Sequence, residues 1–162
     1  MKLELREKVS LRNPVHFLAL GFGSGLAPKM PGTFGTLAAL PLIFVFTHYL
    51  SLSVYMSITL IASVIGIWIC GKTAEDMGVH DDSSIVWDEV AGMLIALLAV
   101  PFTWPNVLIA FLLFRFLDIV KPWPIGLLDK NLHGGLGIML DDIAAGLVTL
   151  GVMHYLLYLE YL

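Results

Sequence analysis

Asp88-Glu89, Asp118 and Asp141-Asp142 are carboxylates set at the edges of otherwise apolar stretches. Asp88-Glu89 opens a run, Val90 to Phe114, of 25 residues with no Asp, Glu, Lys or Arg. Carboxylates in such places are costly unless they are paired or bind a cation. A donor set made only of carboxylate oxygens suits a hard divalent ion, and Mg²⁺ fits it best. On this reading Glu89, Asp118 and Asp142 ligate the metal. Asp88 or Asp141 completes the shell or acts as the catalytic base toward water. A plainer reading of Asp88-Glu89 also stands, because acids favour the positive end of a helix dipole.

Cationic groups accompany the acids. Arg115, Asp118 and Lys121 recur every three residues, which puts them near one face of a helix end. Either Arg115 and Asp118 are an embedded ion pair with Lys121 snorkelling to the surface, or Asp118 meets the metal and both bases hold a phosphate. Upstream, GFGSG (21–25) and PGTFGT (31–36) flank Lys29. Their backbone N–H groups, with the hydroxyls of Thr33 and Thr36, would suit an anion at a helix start; the alternative is a Gly/Pro turn with a threonine cap. His133 is placed to bind substrate and protonate a leaving group, or is structural. Cys70 is the only cysteine, so no disulfide and no cysteine metal cluster is available. A cysteine phosphatase would need Arg at position 76, which is Asp. Carboxylates for Mg²⁺ and bases for an anion suggest phosphoryl transfer, with the metal polarising the phosphoryl oxygens and the bases stabilising charge.

The elements that must position these groups are apolar. Of 162 residues, 58% are hydrophobic and 14% charged, and the mean hydropathy is +0.87. That excludes an ordinary soluble monomer. A net charge of −4 without a basic stripe excludes nucleic acid as the main partner. The composition predicts an all-α, polytopic membrane helix bundle forming one domain over 1–162, with no obligate protein partner evident. Five short spans are predicted near 33–49, 52–71, 87–101, 105–120 and 141–160. Pro41 lies inside the first and is expected to kink it. The polar opening, MKLELREKVSLRNP, lacks the apolar core of a signal peptide and reads as an interfacial segment. With the N-terminus inside, eight of the nine basic residues fall in the inner segments and none in the outer turns. The same topology folds the acids from Glu75 to Asp142 onto the inner, cytoplasmic face. Small residues at three- and four-residue spacing, such as Gly32, Thr36, Gly66, Cys70, Ala145 and Gly146, predict close helix packing.

At these residues the sequence resembles the bacterial phosphatidylglycerophosphatase A family. The matching stretches are GFGSGLAPKMPGT (21–33), DMGVHD (76–81), SIVWDE (84–89), FRFLDIVKPWPI (114–125), DKNLHGG and GIM with Asp-Asp (129–142), and AG (145–146). The resemblance implies a multi-pass inner-membrane, Mg²⁺-dependent phosphatase. Its substrate would be the phospholipid phosphatidylglycerophosphate and its product phosphatidylglycerol, a step in phospholipid biosynthesis. Two other classes share features with this sequence. A divalent-cation transporter also needs intramembrane carboxylates, but its site would lie near the midplane between repeats, and no internal repeat is visible. Another lipid-phosphate enzyme, the CDP-alcohol phosphotransferase type, would need a D-G-x₂-A-R-x₈-G-x₃-D-x₃-D pattern that is absent.

Overall fold

A computed structural model of the chain describes residues 7–127 and 132–160, and the regular structure among them is helical. The α-helices described in full are, in order, α1 Pro14–Ala19, α2 Pro31–Tyr49, α3 Leu52–Met77, α4 Trp87–Ala96, α5 Trp104–Val120 and α6 Gly134–Glu160, with a 3₁₀ segment at Gly21–Leu26. Local chemistry sets several ends. Asn13 accepts from the Val15 N–H, with Pro14 in the first turn of α1. Ser51 caps α3, and Gly78, at φ 71°, ends it in the left-handed conformation that glycine adopts without strain. Thr103 caps α5.

Among the described residues three helices, α2, α3 and α6, are long and apolar enough to cross a membrane. Their outer faces are apolar: α3 exposes Leu60, Ile61, Val64, Ile65 and Trp68. In water such a surface would be an aggregation liability; in lipid it is the expected face. Trp104 and Trp123 are 84% and 82% exposed and flank the two ends of α5, the places that interfacial tryptophans favour.

The five-span expectation needs revision at α4. The third apolar run gives a helix of only 10 residues, about 15 Å long, where a bilayer core is about 30 Å. The helix stops at Ala96 and a turn follows before Pro101, so the segment does not run to 101 as a helix. From Val90 to Ala96 every residue is buried, and α4 packs against α2, α3, α5 and α6. Its apolarity serves a protein core, not a lipid face. At 17 residues α5 is also short of a full span. The last helix begins at Gly134, seven residues before the predicted 141, so Asp141 and Asp142 lie inside it. The α2 helix runs from Pro31 to Tyr49 through Pro41.

The opening segment differs as well. Residues 1–6 lie outside the described residues, and 7–13 form turns, not an interfacial helix. This strap is fastened to the end of α3. Lys8 donates to the Met77 carbonyl at 2.8 Å, and His16 meets Asp76 at 3.0 Å. The Ser10 N–H donates to His16 Nδ1, which leaves Nε2 to carry the proton toward Asp76.

Small residues make the close crossings, as their spacing predicts. A Cβ at Gly146 would stand 2.5 Å from the Gly92 carbonyl oxygen, and one at Gly135 only 1.8 Å from that of Ile67. Backbone cannot yield as a side-chain end can, so Gly135→Ala should destabilise the protein by about 1–3 kcal/mol or more. A thermal melt in detergent measures this; an unchanged melting temperature would show that α3 and α6 are not held this closely.

Candidate active site

The helix directions bring four segments to one end of the bundle: the loop after α3, the start of α4, the end of α5 and the start of α6. The loop is pinned before it enters α4. The Val86 N–H donates to the Ala19 carbonyl at 2.9 Å, and Asp82 accepts from the Ser84 N–H at 3.0 Å. Asp88 and Glu89 follow in the first turn of α4, and Asp142 faces them from α6.

One carboxylate oxygen from each of Asp88, Glu89 and Asp142 lies within 4.8 Å of the other two, a spacing that could hold a metal ion. Asp88 Oδ1, Glu89 Oε2 and Asp142 Oδ2 are buried and have no hydrogen-bond partner among the described residues. Buried carboxylate oxygens rarely stay unsatisfied without a reason. A cavity of about 210 Å³ opens beside them, and Asp118, Lys121, Asp141, Asp81 and His80 also line it.

Cations brace the acids. Arg115 Nη1 is 3.6 Å from Glu89 Oε1 and is also paired with Asp118, three residues on along α5. Lys121 is paired with Asp141 across the gap from α5 to α6. Lys121 sits just past the end of α5 at φ 46°, which turns the chain sharply where the helix stops. Gly32, in the first turn of α2, closes over the Glu89–Arg115 pair. A Cβ there would meet Glu89 Oε1 at 2.1 Å and both terminal nitrogens of Arg115 at 3.1 Å. Only a glycine admits that approach.

Of the residues singled out by sequence, Asp88, Glu89, Asp118, Lys121, Asp141 and Asp142 line one cavity. The closest trio contains Asp88, with Asp118 held beside it by Arg115. Arg115 is not among the lining residues and reaches the cavity through Glu89 and Asp118. Lys29, Thr33 and Thr36 do not line it either. Thr36 is buried and donates to the Gly32 carbonyl of its own helix at 2.9 Å. No side chain caps α2, so Thr33 has no capping role. In the glycine-rich stretch the N–H groups of Gly23 and Gly25 both donate to the Leu20 carbonyl, so these two are not turned toward an anion. Its glycines permit close packing, with a Cβ at Gly25 falling 2.0 Å from the Ser84 carbonyl oxygen. His133 stands one layer back, its ring 4.9 Å from that of His80. His80, not among the residues singled out by sequence, lines the cavity; its nearness to the acids depends on the fold of the loop after α3. Asp129 and Lys130 lie outside the described residues.

A cavity crowded with carboxylates, with a lysine in its wall and apolar helices around it, is the equipment of a membrane enzyme acting on phosphate esters. Comparison with known proteins makes this specific. Residues 17–157 match the family described as Phosphatidylglycerophosphatase A. The phosphatidylglycerophosphatase A of Escherichia coli is 47% identical over 152 residues, covering 93% of this chain and 88% of its own. That of Haemophilus influenzae is 45% identical over 153 residues, 94% of each chain. A Bacteroides thetaiotaomicron protein named as a candidate phosphatidylinositol-3-phosphatase is 38% identical over 140 residues, 82% of this chain and 86% of its own. No solved structure matches. The chain belongs to the phosphatidylglycerophosphatase A family of phosphatases.

Proposed function

We propose that this protein hydrolyses the terminal phosphate of phosphatidylglycerophosphate, giving phosphatidylglycerol and inorganic phosphate during phospholipid synthesis, with Mg²⁺ as cofactor. The observation that carries the reading is the trio Asp88, Glu89 and Asp142 beside Lys121, at one end of apolar helices in a chain of this family. The donor set fits the ion. It offers only oxygens, three of them buried and unpartnered, and hard divalent cations take such ligands. Asp88, Glu89 and Asp142 would hold Mg²⁺. When bound, the ion would supply Lewis-acid charge to the phosphoryl oxygens and favour deprotonation of water.

The chain's own groups do the rest. Arg115 fixes the rotamer of Glu89 and holds Asp118 against the cluster. Lys121 offers an ammonium to the phosphate, which no group of carboxylates would otherwise admit. Asp141, paired to that lysine, is the carboxylate set to take the proton of the attacking water. Gly32 closes over Glu89 from the α2 side.

The proposed setting is the bacterial inner membrane, with the site on the cytoplasmic side. Lys8, Arg12, Lys72 and Lys121 belong to the segments at the site end, whereas the turns at 50–51 and 97–103 carry no charge, the asymmetry that the positive-inside rule describes. On this reading α2, α3 and α6 cross the membrane, while α4 and its turn enter it inside the protein and the chain returns to the site end through α5.

The name of the Bacteroides relative points to a different headgroup carrying the same kind of phosphate ester. Purified protein with Mg²⁺ should therefore be given phosphatidylglycerophosphate and phosphatidylinositol 3-phosphate separately in mixed micelles. Phosphate release at least tenfold faster from the first is expected. The reverse preference would overturn the headgroup assignment.

A further inference from the structure

The hydrolysis proposed above leaves one proton unassigned. The glycerol oxygen departs as an alkoxide and must be protonated as the P–O bond breaks. The cavity wall offers three kinds of group. The carboxylates are there to bind and to accept. Lys121, paired with Asp141 and offered to the phosphate, is an ammonium, a weak acid near neutrality. His80 is the imidazole that lines the cavity, and imidazole is the side chain best matched to proton transfer at neutral pH. It is exposed, so solvent can return its proton after each turnover.

We infer that His80 is the proton donor to the leaving oxygen and that His133 positions it. The two rings meet edge to face, centroids 4.9 Å apart and planes at 84°. His80 comes from the loop after α3, and His133 immediately precedes α6, so the contact ties the His80 loop to the helix that carries Asp141 and Asp142. The step balances. Water adds to phosphorus and gives its proton to a cavity carboxylate. The bond from phosphorus to the glycerol oxygen breaks, and that oxygen takes the proton of the imidazolium. A protonated carboxyl, neutral imidazole, the alcohol and inorganic phosphate result, and exchange with solvent returns the carboxyl and the imidazole to their starting forms. The inference rests on the phosphatase reading but not on which lipid is cleaved, because any alkyl leaving group has the same need.

The test compares leaving groups. Wild type, His80→Asn and His133→Asn are assayed on phosphatidylglycerophosphate and on an alkyl-chain derivative of 4-nitrophenyl phosphate, whose phenol leaves without a proton donor. His80→Asn should lose about 10²-fold in kcat on the lipid with little change in KM, and less than tenfold on the aryl ester. His133→Asn should lose less on the lipid than His80→Asn, again with little loss on the aryl ester. Equal losses of His80→Asn on both substrates would assign it a structural role and overturn the inference, as would lipid activity within threefold of wild type. A wild type that cleaves phosphatidylinositol 3-phosphate instead overturns only the headgroup reading, and the same comparison then decides on that lipid. A wild type inactive on both lipids overturns the reading and this inference together.

Discussion

Asp142→Asn is expected to lower phosphate release by about 10³-fold while leaving the protein folded. Asp142 supplies one of the three oxygens that close on a common point, and it is the one contributed by α6. Asparagine keeps the shape but replaces a charged oxygen with an amide, a far weaker partner for a hard cation. The effect on stability should run the other way. Without a cation, three carboxylates this close repel one another, so the variant should melt no lower than wild type in chelator. Added Mg²⁺ should raise the melting temperature of wild type, because an ion that binds only the folded state stabilises it. The variant should gain much less. A variant that keeps near wild-type turnover, or gains as much from Mg²⁺, would remove Asp142 from the site.

Gly32→Ala should cost about 10²-fold in activity with little loss of stability. One methyl group would fall 2.1 Å from Glu89 Oε1 and 3.1 Å from the Arg115 guanidinium. Either the carboxylate swings away or α2 backs off, and both misplace Glu89. Misplacement by about 1 Å is enough for losses of this size. The clash is with side-chain ends, which can move, and alanine favours a helix over glycine by about 1 kcal/mol. Stability should therefore stay near that of wild type, unlike the backbone clash expected at Gly135. Phosphate release and a thermal melt on the same preparation separate the two effects. Activity within threefold of wild type would show that α2 does not constrain the site.

Much of the site was legible because membrane physics forces it. An acid at the edge of an apolar run must find a partner, and that alone grouped Asp88, Glu89, Asp118, Asp141 and Asp142 with Lys121. The all-helical fold followed from hydropathy, and the break between α2 and α3 falls where the predicted spans 33–49 and 52–71 meet. The length of α4 was not legible. Hydropathy cannot tell a buried helix from a lipid-facing one, and nothing between Leu97 and Val100 marks a helix end. The predicted start at 141 left out Gly134, Gly135 and Gly137, yet they begin α6, and Gly135 lets it approach the Ile67 carbonyl. Thr36 looked like an anion ligand because a hydroxyl near a helix start often is one, but its hydroxyl bonds within its own helix. Gly32 was noted only as a packing residue, since no local pattern reveals that it faces Glu89 across the bundle.

A carboxylate cluster that works through a divalent cation on a lipid phosphate must lose its activity when the cation is removed. The most direct measurement is phosphate release from phosphatidylglycerophosphate by the purified protein, first with Mg²⁺, then with excess chelator, then with Mg²⁺ restored. Release, its loss and its recovery are the expected results. Undiminished release in chelator would contradict a role for the cation.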